Sequence, residues 1–505
     1  MSCFRINAAL IIPTTILVMA CNVQEQQSEN PSLPNILYIL ADDMGYGDVG
    51  ALNPDSKIPT PHLNRLASEG MVFTDAHSPS AVCTPTRYGI LTGRYCFRTR
   101  LTSGVLVGHS PSLIEPGRLT VASLLKQSGY HTACVGKWHL GLDFKKKDHE
   151  KPLTDGDGWT ETITANVDYT APIDGGPADH GFDYSFILPS SLDIQPYFYI
   201  RNRHIVNPNM ISIPGSPDER SQGVFWREGD ASTDFDFYKV LPDFTGEALD
   251  YISRHQESDP EAPFFLYLAY AAPHTPWVPV NEFRGTSDAG LYCDFVAQVD
   301  HSTGKILDLL DSLGISENTL VIFTSDNGAY WRPENIREFD HRSNFIFSGM
   351  KSDLWEGGHH IPFIARWPSH IEPGVTNNQL VSLTDLMATC ADITGFKLPY
   401  NAGEDSFSHL PAFLGGQDYQ GARKHLVMQS HDGRYAIRED NWKLILSKGS
   451  GGWSEEGKPD DPDIQLYDLE RDIREQHNLY RDNPGQVEKL KAMLDMFKEE
   501  RRSRY

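Results

Sequence analysis

Five short apolar runs punctuate the chain: NILYIL (35–40), ACVG (133–136), FFLYLAY (264–270), LVIFT (320–324) and PFIARW (362–367). None alternates with polar residues, so each suits a strand buried on both faces, as happens where helices cover both sides of a sheet. Between several of them lie segments with apolar residues at three- and four-residue spacing: 62–70, 121–129, 295–314 and 380–395. These predict helices, and strand followed by helix, repeated, defines an α/β sheet covered by helices.

A chain of 505 residues exceeds what one core usually supports. The α/β pattern occupies 34–415, interrupted from about 142 to 240 by a stretch rich in Asp, Gly, Pro and aromatics that reads as irregular insertions of the kind that shape a substrate site. After Gly415 the texture changes. HLVMQSHDGRYAIREDNWKLILSKG reads as short strands turning at Asp432-Gly433 and Asp440-Asn441, and QVEKLKAMLDMFKEERRSR as a terminal helix. Residues 416–505 are therefore expected to form a smaller α+β domain.

The first residues read as a targeting segment. Arg5 precedes the apolar run AALIIPTTILVMA, too short for a membrane span, and Val18-Met19-Ala20-Cys21 resembles a lipoprotein signal with Cys21 as the lipidated residue. This predicts a signal over 1–21, a polar tether over 22–33, and an exported protein that is periplasmic or at the cell surface, lipid-anchored in a bacterial membrane. Beyond the leader are Cys83, Cys96, Cys134, Cys293 and Cys390, an odd number without C-x-x-C spacing. The last four fall in apparent element interiors, where cysteine usually serves as small apolar filling. Acidic residues outnumber basic ones, 68 against 44, for a formal charge of −24. That argues against nucleic-acid binding, and a sulfated or phosphorylated ligand would need a local cationic pocket.

The residues just beyond each strand point to chemistry. NILYIL leads to Asp42 and Asp43, ACVG to Lys137, Trp138 and His139, FFLYLAYAAP to His274, and LVIFT to Asp326 and Asn327. In an open α/β sheet ligands bind beyond the carboxyl ends of the strands, so these groups are expected to converge. Taken singly, Asp42-Asp43 is also what a helix cap looks like, and Asp326-Asn327-Gly328 an ordinary turn. Together they make an oxygen-only set of the kind Ca²⁺ or Mg²⁺ prefers. Carboxylates about 4 Å apart repel by roughly 4 kcal/mol per pair at an effective dielectric near 20, which a divalent cation relieves.

CTPTR, at Cys83–Arg87, supplies the remaining signal. Thr84 suits an N-cap, Pro85 the first helical position and Gly93 the stop. Cys83 then faces a helix N-terminus, where negative charge is favoured. A thiolate, however, is a poor partner for a hard, oxygen-ligated cation.

Cys83-Thr84-Pro85-Thr86-Arg87 with Leu91-Thr92-Gly93 resembles the type I sulfatase signature, in which the cysteine is oxidised to formylglycine. ILADDMGYGD, GKWHLG, His274-Thr275-Pro276-Trp277, TSDNGA, GMKSDLWEGG and LYDLERDIREQHNL occur in family order. The resemblance implies the alkaline phosphatase-like fold, a large mixed, mostly parallel sheet sandwiched by helices. It implies one Ca²⁺ held by Asp42, Asp43, Asp326 and Asn327 and touching the formylglycine made from Cys83. Arg87 and Lys137 would hold that residue, His139 would contact the hydrate, Lys351 the sulfate, and His274 would protonate the leaving oxygen. In this scheme one hydroxyl of the hydrate, its proton taken with help from Asp326, attacks sulfur. The second hydroxyl, deprotonated with His139, then lets sulfate leave. The implied partners are a sulfated carbohydrate substrate, from a polysaccharide, and a formylglycine-generating maturation enzyme.

Two other readings stand beside this one: a metal-dependent phosphatase or phosphodiesterase of the same superfamily, and a lipoprotein that binds sulfated glycans without cleaving them. Asp193, Tyr197 and His180 in the insertion are further candidates for substrate contact, whereas His359 and His360 receive no role.

Overall fold

The computed structural model describes residues 1–2, 33–155, 165–217, 223–415 and 423–505. The chain divides into two compact units, Met1–Ser32 and Leu33–Tyr505. The signal and nearly all of the tether, including Cys21, lie outside the described residues, as does the 416–422 stretch at the expected domain boundary. Among the described residues no helix is long and apolar enough to cross a membrane.

A ten-stranded sheet organises the Leu33–Tyr505 unit. From edge to edge it runs Val375–Asn377, Met71–Phe73, Phe363–Arg366, Thr319–Ser325, Asn35–Asp42, Phe264–Pro273, His131–Lys137, Tyr184–Leu188, Ile200–Arg201 and His204–Ile205. Its middle, from Thr319–Ser325 across to Tyr184–Leu188, is parallel, and antiparallel pairs flank it. Every residue of Asn35–Asp42 is buried. Alternate side chains serve two cores, as the two-residue period of a strand requires. Ile36, Tyr38 and Leu40 pack with Tyr88, Leu124 and Met387, beneath the helices Cys83–Thr92, Val121–Gln127 and Leu386–Thr394. Leu37, Ile39 and Ala41 pack with Leu63, Phe244 and Val296, beneath Pro61–Ser68, Val240–Ser258 and Gly290–Ser312. This is the mixed, mostly parallel sheet sandwiched by helices that the apolar runs and the resemblance imply.

A second, antiparallel sheet of His425–Gln429, Tyr435–Glu439, Trp442–Ile445 and Gln465–Asp468 carries the helix Pro484–Glu499 on one face. Its other face packs Leu426, Met428, Ala436 and Ile445 on Leu354. Its edge also pairs with the chain ahead of Cys83: Ala81 N–H donates to Gln429 O at 2.9 Å and Gln429 N–H to Pro79 O at 3.2 Å. The second sheet thereby braces the segment leading into Cys83 directly.

Three expectations need correction. Tyr184–Leu188, inside the stretch expected to be irregular, is a strand of the main sheet paired parallel with His131–Lys137. The helix expected over 380–395 is confined to Leu386–Thr394, because Val381–Ser382 pairs with Ala76–His77 instead. Helix Cys83–Thr92 begins two residues early, with Val82 as its cap, and Cys83 rather than Pro85 is its first residue. Thr84 serves elsewhere: its hydroxyl donates to His139 O at 3.0 Å and accepts from Leu106 N–H at 3.2 Å. Gly93 does end the helix, at φ 62°.

Candidate active site

Register brings the strand ends to one level. Ala41 lies beside Ser325 and Asp42 beside Pro273, so Asp42, His274 and Asp326 emerge from three adjacent strands, and Lys137 ends the fourth. Two residues at these exits, Asp43 (φ 66°) and His139 (φ 55°), take the left-handed backbone conformation that a β-carbon disfavours. Ser325 Oγ accepts from Met44 N–H at 2.9 Å, and Tyr292 Oη donates to Asp43 O at 2.9 Å, holding the first of these bends.

Arg87 lies one helical turn after Cys83 on the same face. Its wholly buried guanidinium donates through Nε and Nη2 to Asp326 Oδ2 (3.0 and 2.8 Å) and through Nη1 to Lys137 O (2.9 Å). Lys137 Nζ meets Asp42 Oδ2 at 2.6 Å and Ser191 Oγ at 3.2 Å. Lys351 Nζ lies 2.7 and 2.8 Å from the two Asp43 oxygens, and Asn327 Nδ2 donates to Asp43 Oδ1 at 2.7 Å. Three buried carboxylates are thus matched by three buried cations.

Proton positions are set by the partners. His139 Nε2–H donates to Leu106 O at 2.7 Å, which leaves Nδ1 an acceptor, buried and without a hydrogen bond. Burial, with Lys137 nearby, holds His139 well below the ordinary imidazole range. His274 Nδ1–H donates to Thr275 O at 2.6 Å, so its Nε2, 3.6 Å from Asp43 Oδ2, carries the titratable site. Burial and then Lys351 lower it. Burial raises Cys83 against the pull of Lys137 and Lys351, so the thiol stays protonated and is a weak nucleophile as such. Burial also works to raise Asp42, but Lys137, His274 and Arg87 outweigh it and hold that carboxyl below its usual range. Asp326 is pushed up by burial and by the charge of Asp42.

The residues present fit a hard cation. Asp42 Oδ1 and Asn327 Oδ1 are buried acceptors without a hydrogen-bond partner, and Asp42, Asp43 and His274 bring ligand atoms within 4.8 Å of one another. Carboxylate and amide oxygens are the ligand type that Ca²⁺ or Mg²⁺ prefers. Two further groupings among the described residues, Asp75/His77/His360 and His77/Glu356/His359, share no member with this one, and their carboxylates are already paired with Arg438 and Lys443.

Cys83, His139, His274 and Lys351 line a cleft of about 360 Å³ together with Val82, Val105, Ser191, Asp193, Ile194, His431 and Trp453. The ten residues given roles in the sequence gather at these strand ends: Cys83, His139, His274 and Lys351 line the cleft, Asp43 and Lys137 bond to lining residues, and Asp42, Arg87, Asp326 and Asn327 join them through Lys137 and Asp43. Asp193 reaches the cleft, paired with Arg227 at 2.6 Å. Tyr197 instead donates its hydroxyl to Arg227 O, and His180 stacks on Trp138. Ser191, His431 and Trp453 carry no local sequence signal: two of them come from the second sheet's loops, far along the chain.

Imidazoles and buried cations gathered at the carboxyl edge of such a sheet suit the handling of an anionic ligand. The chain belongs to the sulfatase family, of the alkaline phosphatase-like fold, and is a sulfuric ester hydrolase. The sulfatase profile matches residues 34–396, and the profile for the C-terminal part of N-sulphoglucosamine sulphohydrolase matches 350–502. An N-acetylgalactosamine-6-O-sulfatase of Bacteroides thetaiotaomicron is 32% identical over 97% of this chain and 98% of its own length. Human N-acetylgalactosamine-6-sulfatase is 34% identical over 77% of this chain and 67% of its own. A solved Bacteroides thetaiotaomicron structure, described under the metabolism of multiple glycosaminoglycans, superposes with a TM-score of 0.80 at 32% identity, covering 92% of this chain and 99% of that one.

Proposed function

We propose that this sulfatase removes sulfate from a sulfated carbohydrate, a 6-O-sulfated N-acetylhexosamine being the favoured unit, with a formylglycine made from Cys83 and one Ca²⁺ bound by Asp42, Asp43, Asp326 and Asn327. The observation that carries the reading is Cys83 itself: a buried, protonated thiol as the first residue of a helix, lining a cleft with Lys351, His139 and His274. A thiol does little there, whereas a hydrated aldehyde would offer two hydroxyls to the neighbouring polar groups. The names of the relatives support the substrate class.

When present, the two groups would supply an oxygen nucleophile with a second hydroxyl and Lewis-acid polarisation of a sulfate oxygen. The chain does the rest. Lys137 and Lys351 face the charge that develops on the sulfate oxygens, and Arg87 fixes Asp326 and the carbonyl of Lys137. His139 Nδ1, neutral and without a hydrogen bond, is the base for a hydroxyl proton. His274 delivers a proton from Nε2 to the leaving oxygen. An entering sulfate offsets Lys351, raising His274 toward protonation at the moment its acid is needed. The reading also calls for a formylglycine-generating partner in the same cell and for export, with a lipid on Cys21.

The test is sulfate release from defined sulfated saccharides by the matured protein and by Cys83→Ala, with peptide mass spectrometry across Cys83. We expect conversion of the cysteine and loss of turnover in Cys83→Ala. An intact thiol in an active enzyme, or turnover that survives the substitution, rejects the mechanism.

A further inference from the structure

We infer that Trp453 and His431 form the wall that seats the sugar ring of the substrate, and that Asp353 is the positioning residue that ties this wall to Lys351. The inference rests on the carbohydrate reading above and deepens it.

Beyond the groups assigned to the sulfate, the cleft lining includes Val105, Asp193, Ile194, His431 and Trp453. Trp453 and His431 have ring centroids 5.0 Å apart, tilted by 53°, and Tyr330 meets Trp453 edge-on at 5.9 Å. Both rings are partly exposed where they line the cleft. A pyranose has C–H-rich faces and hydroxyl edges. An indole buries the former, and an imidazole nitrogen can bond the latter. His431 is set up for this, since Nδ1 meets Asp432 Oδ1 at 3.0 Å and Nε2 is the other nitrogen.

The wall is not a free loop. Asp353 Oδ1 accepts from Trp453 N–H (2.8 Å) and Ser454 N–H (3.1 Å), while Oδ2 accepts from Met350 N–H (2.8 Å) and the Ser454 hydroxyl. Leu354 N–H donates to Ser450 O at 2.8 Å, and His431 N–H to Ser352 O at 3.2 Å. Met350 and Ser352 flank Lys351, so one buried carboxylate and two backbone bonds fix the aromatic wall to the lysine assigned to the sulfate. Ring and sulfate are thereby recognised at a set spacing.

Product inhibition separates the two halves, because one product is a sugar and the other is sulfate. In the matured enzyme Trp453→Ala is expected to raise KM for a 6-O-sulfated N-acetylgalactosamine by about tenfold, the scale of one aromatic contact, with kcat within roughly twofold. Inhibition by N-acetylgalactosamine should weaken in step, inhibition by inorganic sulfate should not change, and Trp453→Tyr should recover most of the loss. Asp353→Asn should move KM and kcat together, since it loosens both the wall and Lys351. An unchanged KM in Trp453→Ala, or sulfate inhibition weakened as much as sugar inhibition, overturns the inference. If the unsubstituted enzyme splits an aryl sulfate but no sulfated saccharide, the carbohydrate reading itself fails, and the wall loses its ligand with it.

Discussion

Asp42 Oδ1 and Asn327 Oδ1 are buried acceptors with no hydrogen-bond partner, an arrangement that costs about 1–3 kcal/mol per atom unless positive charge meets it. Calcium is accordingly expected to stabilise the fold as well as to serve the chemistry. At a free concentration about a hundred times its dissociation constant the gain is about 2.7 kcal/mol. Thermal melts should shift upward with Ca²⁺ and fall back with a chelator, and Asn327→Ala should remove most of that calcium-dependent shift. An equal shift in the variant would mean that calcium binds elsewhere. His109 carries a different prediction. Neither of its ring nitrogens has a hydrogen-bond partner, and burial lowers it to about 4. The unfolded chain protonates the same ring near about 6.5. Its folded value is therefore the depressed one, so its stabilising contribution is complete above about pH 6.5 and declines as pH falls toward 4. Urea unfolding between these limits should show a stability slope that His109→Phe lowers by up to about 1.4 kcal/mol per pH unit. An unchanged slope would show that the ring finds a partner when protonated.

Among the elements, the strand His131–Lys137 has the least room for change. Gly136 has φ 118°, and a β-carbon there would lie 1.8 Å from Ala269 O on the neighbouring strand. Gly136→Ala must push the two strands apart next to Lys137. A loss of at least about 1–3 kcal/mol from strain is expected, and a drop in kcat out of proportion to it, read by denaturant unfolding and turnover on the same preparation. Full activity in a destabilised variant would show that the Lys137 end of the strand moves independently. This strand also shows what was legible in the sequence. Asp42, Lys137, His274 and Asp326 could be placed because each comes directly after an apolar run, and parallel pairing then brings such ends together. Lys351 has no such anchor and became visible only through the family pattern. Val240–Ser258 escaped because Pro242 and Gly246 blur a helical pattern that burial of Phe244, Ala248 and Ile252 nevertheless sustains. Thr84 looked like a cap because a threonine before a proline commonly is one. A long-range bond to His139 O, which no local rule anticipates, claims its hydroxyl instead. His431 and Trp453 were invisible for the same reason.

Across the whole molecule, the two sheets are joined by buried charge as well as by apolar packing. Lys443, in a strand of the second sheet, meets Glu356 at 2.9 Å, Glu475 at 2.7 Å and His359 at 3.0 Å. Arg438, on the neighbouring strand, holds Asp75 through two bonds of 2.6 and 2.7 Å, and Asp75 in turn meets His77 at 2.8 Å. His77 and His359 close the circuit with ring nitrogens 3.0 Å apart. Glu356 opens the short helix Glu356–His359, and Gly358 O within it accepts from Gly328 N–H, one residue past Asn327. Displacing Lys443 should therefore be felt at the active site. Lys443→Met leaves Glu356 and Glu475 buried without their shared cation, and breaking such a cluster from one side costs about 3–5 kcal/mol. The loss should concern the carboxylates left behind more than the lysine itself. Adding Glu475→Leu to Lys443→Met should then recover part of both stability and turnover, because one of the two stranded charges is gone while Glu356 keeps His360 at 2.9 Å. Denaturant unfolding of the two single variants and the double variant measures the coupling. Strictly additive losses would show that the network is a set of independent pairs, and that the second sheet holds the catalytic loops through its backbone pairing alone.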